Sequence, residues 1–436
     1  MTTTPAGRRL FSNFFFLGSV QAFNSLLQLL VIPYVILVIG TDGFGVVSVA
    51  QVVMFYLSVF TEYGFNQTAT RDISVRRDDS QAIATIFYRV LFTRLLLCLL
   101  SFFILLLLIA VLPLFRLHLW VYLAGFVFVV GQSALLNWFF QGIERMQVVA
   151  VSTLIARLLF VGLVFLFVRR REDDYLYLLF MGLGNLVGGL ISLWVAVRRV
   201  RLRFVRPRWS DISRELKGGW QVAVSNLSGN TVQYANIFIL RIFTNDFVAG
   251  YYGIAERLFL SARQTLSIAS QAIYPQVCLL VSSGREAVIG FFRRVYIPLF
   301  LLVFVCAALL FWLSPEILAF FSKKDYPLSV PLLRGFSVAA LVVCINIPAT
   351  LVLLAIHRTR VYFRTYMLAT LVNLAANCIL VQVFGAMGTV LTILITELFI
   401  GALLYFQVYR LYMKRPVSPD MVGGDREPLP GINLES

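Results

Sequence analysis

Three arginines lie deep inside apolar runs, where a cation is costly and is usually kept for a function. Arg94 lies within one run, and Arg257 and Arg263 lie in the middle of another. A guanidinium group binds phosphate oxygens through two parallel hydrogen bonds. If these side chains face one cavity, they form a site for an anion, with Arg89 as an additional donor. The alternative is that Glu256 or another acid neutralises them within the protein.

Few acids lie in or near the apolar runs: Glu62, Glu256 and Glu397. Each is either a counter-ion to an arginine or a carboxylate that exchanges a proton or a sodium ion during transport. Coupling to H⁺ or Na⁺ is therefore expected, and no resident cofactor or metal is expected.

Two pairs of amide side chains recur at helical spacing. Asn24 and Gln28 share one helix face, and Asn226 and Asn230 share another. An amide without a partner in hydrocarbon is costly, so both faces should turn inward. They either form interhelical hydrogen bonds or line a hydrated substrate cavity.

Five further arginines lie near the predicted ends of apolar runs, where long basic side chains can reach the membrane surface. We expect most of them to do so: Arg89, Arg157, Arg241, Arg293 and Arg334.

The composition places all these residues in a membrane protein. The chain has 436 residues, of which 60% are hydrophobic and 13% are charged, and its mean hydropathy is +0.86. Soluble domains carry about 25% charged residues. The sequence has no catalytic Ser-His-Asp set, no phosphate-binding loop followed by Lys and no clustered metal ligands. Secondary transport is the simplest class that remains, and an enzyme or a nucleic-acid-binding role is not expected.

Apolar segments long enough to cross a membrane recur along the chain, separated by Pro, Gly and charged residues. They predict an all-α chain with twelve membrane-spanning helices. The predicted spans are 10–38, 44–66, 84–113, 117–140, 149–168, 175–197, 218–243, 248–278, 288–313, 330–356, 364–383 and 388–411.

The net charge of +16 predicts the orientation of the chain. Basic residues concentrate in alternate loops and in the two termini: Arg8, Arg9, Arg71, Arg76, Arg77, Arg145, Arg198–Lys217, Arg358, Arg360, Lys414 and Arg415. This bias predicts that both termini are cytoplasmic. Two basic stretches lie in the opposite loops and are exceptions to it, Arg169–Arg171 and Lys323–Lys324. The most basic loop, Arg198–Lys217, is expected to contact anionic membrane lipids.

The same loop divides the chain into two predicted six-helix halves. The expected parts are an N-terminal bundle at 1–200, a basic linker at 201–217, a C-terminal bundle at 218–412 and a polar cytoplasmic tail at 413–436. A weak internal sequence similarity between Gly40–Gly45 and Gly250–Gly253 supports a repeat. Repeated halves are typical of transporters, whose substrate site lies between them.

Four stretches together resemble one family. Glu62–Asp72, Asn137–Met146, Gly250–Arg257 and Gln271–Pro275 are similar, in order and spacing, to Wzx-type O-antigen and polysaccharide flippases. The resemblance covers nearly the whole chain. It implies a MATE/MurJ-like fold of the MOP superfamily, with two six-helix bundles around a cationic cavity.

The resemblance also implies a cargo and a location. The cargo is an undecaprenyl-pyrophosphate-linked oligosaccharide, moved by alternating access from the cytoplasmic to the periplasmic leaflet of a bacterial inner membrane. A polysaccharide polymerase and a chain-length regulator are expected partners. Two rival functions remain: a drug or cation exporter of the same fold, which predicts an acidic cavity, and a membrane glycosyltransferase or polymerase, which predicts catalytic carboxylates and a large loop.

Overall fold

The computed structural model describes residues 5–76, 79–200, 202–321, 329–356 and 358–413, and within these ranges every regular element is helical. Several predicted features lie outside the described residues: Arg77, Lys323, Lys324 and the tail from Lys414 onward. The principal helices are α1 (Pro5–Glu62), α2 (Phe65–Val75), α3 (Ser80–Val111), α4 (Pro113–Leu117), α5 (Leu119–Ala134), α6 (Asn137–Gly142), α7 (Met146–Phe167), α8 (Asp174–Arg199), α9 (Trp209–Phe243), α10 (Asp246–Ser283), α11 (Arg285–Phe291), α12 (Ile297–Trp312), α13 (Ser314–Phe321), α14 (Ser329–Ala355), α15 (Thr359–Phe384) and α16 (Ala386–Val408).

Helix α1 contains two of the predicted spans without a loop between them. Gly40 separates its two arms, because its backbone has φ 79° and ψ 173°, a conformation that side-chain-bearing residues rarely adopt. Counting these arms separately, the long helices in the described ranges correspond to the twelve predicted spans. Nine described segments are by themselves long and apolar enough to cross a membrane, and one of them, Leu30–Val75, contains the end of the first arm of α1, the whole second arm and α2.

Two long helices, predicted as spans at 218–243 and 248–278, are not among these nine segments. Helices α9 and α10 are 35 and 38 residues long, and their inward-facing polar residues lower their hydropathy. Helix α9 begins at Trp209, inside the segment predicted to be a linker, so the basic loop between the halves is shorter than expected. It is shorter because Arg208 and Asp211 cap the helix, with Asp211 Oδ2 accepting from the Arg208 backbone N–H at 3.1 Å.

The helices pack in two groups. Helices α1, α3, α5, α7 and α8 contact one another, as do α9, α10, α12, α14, α15 and α16. The two groups meet chiefly along α1, which packs against α10 and α9. This multi-pass helical architecture matches the predicted fold class.

The α1–α10 contact depends on two glycines at their crossing. A Cβ atom on Gly45 would lie 1.9 Å from the Asp246 carbonyl oxygen, and one on Gly250 would lie 2.1 Å from the Thr41 carbonyl oxygen. Only glycine permits this approach. The two segments with similar sequences, Gly40–Gly45 and Gly250–Gly253, therefore pack directly against each other at the junction of the halves.

Candidate substrate cavity

A cavity of about 260 Å³ lies between the two groups of helices. Helices α1, α5, α7, α8, α9 and α10 all contribute to its wall. Its amide and charged lining residues are Gln51, Gln132, Arg157, Glu256, Arg257 and Gln264. Aromatic rings complete the wall, and Phe55 of α1 packs against Tyr234 of α9 with ring centroids 4.2 Å apart. The cavity thus combines polar and aromatic groups from both halves.

Two arginines face this cavity from opposite halves. Arg157 projects from α7 and Arg257 from α10, and their positive charges repel each other. An Arg257 Nη2–H donates to Gln51 Oε1, which orients the guanidinium group. Within the described ranges neither arginine has an acid at ion-pair distance, and Glu256 is the one carboxylate in the described lining. The cavity therefore has an excess of positive charge.

Arg94 has a different environment. It is 4% exposed, and it donates from Nη1 to the Leu135 carbonyl and from Nη2 to the Gln132 carbonyl, both at 2.9 Å. These carbonyls lie where α5 ends and the chain breaks before α6. Glu62 lies near enough to Arg94 to interact with it electrostatically. Arg94 thus holds the break that places Gln132 in the cavity wall.

This environment predicts a structural effect for Arg94→Gln. The substitution leaves backbone carbonyls unpaired at a cost of about 1–3 kcal/mol each, so the midpoint of thermal unfolding in detergent should fall clearly. Arg157→Gln, which removes a cavity arginine without such bonds, is the matched control and should leave that midpoint nearly unchanged. An unaltered midpoint for Arg94→Gln combined with lost transport would instead place Arg94 in cargo binding.

Two predicted binding residues, Arg89 and Asn226, lie in contacts that join the halves away from the cavity. Arg89 forms an ion pair with Glu215. Gln67 and Asn226 exchange amide hydrogen bonds, at 3.1 Å from Asn226 Nδ2 to Gln67 Oε1. The Tyr63 hydroxyl also donates to the Leu216 carbonyl at 3.1 Å. We call these three contacts the inner closure. The charge distribution predicts that this side is cytoplasmic.

A second set of contacts joins the halves at the other end. Asp246 accepts from Arg241 Nη2 at 2.9 Å, and it lies 3.5 Å from His118 Nε2 of the N-terminal half. The glycine crossing between α1 and α10 lies at the same place, since Asp246 also provides the carbonyl beside Gly45. We call these contacts the outer closure. The cavity is thus bounded by a closure at each end.

Arg263 and Glu397 pair with each other inside the C-terminal half. The Arg263 Nη1 to Glu397 Oε1 distance is 2.8 Å, and Asn346 Nδ2 donates to Glu397 Oε2 at 3.1 Å. Glu397 is 3% exposed. A second, much smaller cavity separates this pair from Glu256, which lines both cavities. Arg263 is thus a counter-ion to Glu397. Glu256 and Glu397 both line the small cavity.

The remaining predicted residues lie at separate positions. Glu62 accepts from Asn66 Nδ2 at the end of α1. Asn230 Nδ2 donates to the Asn226 carbonyl at 2.7 Å, one turn away on the same helix. Asn24 and Gln28 belong to α1, and their side chains lie outside the described part of the structure.

Sequence reasoning gave Arg157 no binding role, although the structure places it in the cavity. We grouped it with the arginines near span ends, although it lies eight residues inside the predicted span 149–168 and thus close to its middle. Gln51 and Gln132 were also not singled out. Each is a lone amide in an apolar run, and the i, i+4 pairing that drew attention to the other amides is absent.

Comparison with known proteins decides the family. Residues 10–278 match the family model described as "Polysaccharide biosynthesis protein". The chain belongs to the polysaccharide biosynthesis protein family. The chain is also similar to proteins from Escherichia coli strain K12 and Shigella dysenteriae, each called "Putative O-antigen transporter". They are 25% and 26% identical to this chain over 394 and 400 residues, covering 90% and 89% of this chain and 95% and 97% of the relatives.

Solved structures show the same fold for this member of the polysaccharide biosynthesis family. The lipid II flippase MurJ in an inward closed conformation aligns with a TM-score of 0.71 at 14% identity, over 90% of this chain and 87% of MurJ. An inward-facing multidrug resistance MATE family transporter of the MOP superfamily aligns with a TM-score of 0.68 at 14% identity, over 88% of this chain and 96% of the transporter. The predicted MATE/MurJ-like fold is confirmed. With its apolar helices, this family member is a multi-pass protein of the bacterial inner membrane.

Proposed function

We propose that this chain is a flippase for an undecaprenyl-pyrophosphate-linked oligosaccharide. The observation that carries the proposal is the cavity between the halves, into which Arg157 and Arg257 project with no acid at ion-pair distance among the described residues. Two guanidinium groups on opposite walls suit a pyrophosphate, which offers oxygens on two phosphorus atoms. Gln51, Gln132 and Tyr234 suit sugar hydroxyls, since amide and phenol groups both donate and accept hydrogen bonds.

The size of the cavity supports transport by alternating access. About 260 Å³ is below the usual range of roughly 300–1,000 Å³ for small-molecule pockets. A lipid-linked oligosaccharide is far larger than such a molecule. Cargo can therefore enter only if the halves separate, and the inner and outer closures are the contacts that must break in turn. We assign Arg89 and Asn226 to this gating step rather than to cargo contact.

Ion coupling belongs to the same proposal. Glu256 lines both the large cavity and the small cavity that contains Glu397. A carboxylate at this junction can exchange a proton or a sodium ion as the arginines bind and release cargo. Glu62 lies at the end of α1, beside the inner closure, and we assign it a counter-ion role toward Arg94.

Charge distinguishes this function from export of organic cations. A cation exporter of this fold needs an acidic cavity, whereas two arginines and one glutamate line the described cavity. The multidrug transporters among the solved relatives share only the fold at these identities. The membrane glycosyltransferase alternative predicts catalytic carboxylates, and the described lining offers one, Glu256.

The decisive experiment is transport by the purified chain in phospholipid vesicles. We expect a fluorescent undecaprenyl-pyrophosphate-linked oligosaccharide to cross the bilayer faster than in vesicles without protein, and an undecaprenyl monophosphate lacking sugars to cross more slowly. Imposed proton and sodium gradients test coupling. Efflux of a cationic dye without movement of the lipid-linked sugar would refute the proposed function.

A further inference from the structure

A guanidinium group with two nitrogen atoms that have no partner among the described residues lies far from the cavity, at the end of the C-terminal half where α10, α11 and the last helix meet. The Nε and Nη2 atoms of Arg285 are buried and have no hydrogen-bond partner in the described part of the chain. These two N–H groups lie on the same edge of the guanidinium plane, the edge that binds two oxygens of one phosphate or carboxylate. A buried charge in this condition is costly unless an anion is bound.

A second unpartnered donor lies beside it. Tyr412, in the π-helical turn Tyr409–Met413, is 3% exposed, and its hydroxyl also has no partner within residues 358–413 or the other described ranges. It packs in one apolar cluster with Val281 and Val288, which flank Arg285 on the neighbouring helices. Arg285 and Tyr412 also interact electrostatically. Two separate elements therefore bring three unused N–H and O–H donors together.

The turn that precedes Arg285 is open. Gly284, which precedes Arg285, has φ +109° and no atom within 4 Å of where its Cβ would lie. The adjacent acid, Glu286, is exposed and forms no ion pair with Arg285 in the described ranges. An acceptor from outside the described chain is needed to satisfy these donors.

The surroundings match the headgroup level of a membrane. Leu279 and Ile289, on the two helices that meet at Gly284, are exposed large apolar residues suited to acyl chains. Arg294 and Arg410 are exposed near the same end and add positive charge. The charge bias of the loops predicts that this end faces the cytoplasm, where anionic phospholipids attract basic residues.

We propose that Arg285 and Tyr412 form a binding site for the phosphate of an anionic phospholipid headgroup. Arg285 donates from Nε and Nη2 to two phosphate oxygens, and the Tyr412 hydroxyl donates to an oxygen of the same phosphate. The site lies outside the transport cavity and does not depend on the identity of the cargo. Its occupancy stabilises the junction between α10, α11 and the end of the last helix.

The test uses the full chain purified in maltoside micelles free of phospholipid. Titration with dioleoyl phosphatidylglycerol should raise the thermal unfolding midpoint of the wild-type protein by about 2–4 °C. The rise should be absent in Arg285→Gln and smaller in Tyr412→Phe. Arg410→Gln, which removes an exposed arginine from the same end, is the control and should respond like the wild type.

Two further measurements keep the proposal open to refutation. Without phospholipid, Arg285→Gln should be at least as stable as the wild type, because it removes an unpaired buried charge; a clear loss of stability there would show a purely structural role and overturn the proposal. Inorganic phosphate alone should not reproduce the effect of the lipid. If it does, the lipid assignment is wrong, and an equal lipid response in all four proteins also overturns the site.

Discussion

Arg257→Gln is expected to lower the rate of lipid-linked oligosaccharide flipping by roughly tenfold to a hundredfold. The substitution removes charge-assisted hydrogen bonds to the pyrophosphate, which contribute about 1.5–3 kcal/mol each, and about 1.4 kcal/mol corresponds to a factor of ten. Arg257→Lys should lose less, because it keeps the charge and loses only the two-pronged geometry. Initial rates in vesicles with equal amounts of protein provide the measurement.

Matched substitutions separate this effect from a general loss of charge. Arg157→Gln should cause a loss of similar size, because its guanidinium lines the same cavity from the other half. Arg203→Gln removes an exposed arginine of the basic loop and should leave the rate unchanged. Full transport by both cavity variants, at normal expression, would remove the anion site from the mechanism.

Locking the inner closure is expected to stop transport altogether. Gln67 and Asn226 lie on opposite halves with their amide groups 3.1 Å apart. Cysteines at both positions, in a chain whose five native cysteines are replaced, can be joined by a short reducible bis-thiosulfonate reagent. If the halves must separate here to admit cargo, the linked protein should transport no faster than empty vesicles, and reduction should restore the rate.

The single-cysteine variants treated with the same reagent are the controls and should keep their activity. The extent of linking is read from protein mobility after proteolysis between the halves. Undiminished transport by fully linked protein would show that the inner closure does not open during the cycle. The gating role of Arg89 and Glu215, which lie in the same closure, would then be lost as well.

The two arms of α1 show what can and cannot be predicted from local sequence. Apolar length identifies both arms as spans, because a membrane-crossing backbone must satisfy its own hydrogen bonds in a helix. It does not reveal that they join at Gly40 without a loop, since a single glycine with positive φ and extended ψ looks like any other turn residue in the sequence. Apolar length also predicts spans at 218–243 and 248–278, where α9 and α10 lie, and only their packing between the halves explains their polar faces.

The sequence by itself determined a polytopic helical protein with two halves, arginines within the membrane and a resemblance to one family. These properties depend on composition and on segment length, which need no knowledge of packing. The tertiary structure alone decided which arginines meet: Arg157 and Arg257 at the cavity, Arg94 at a helix break, Arg89 at a closure and Arg263 against Glu397. The reason is physical, because the rotation of each helix about its axis is set by packing against helices distant in sequence.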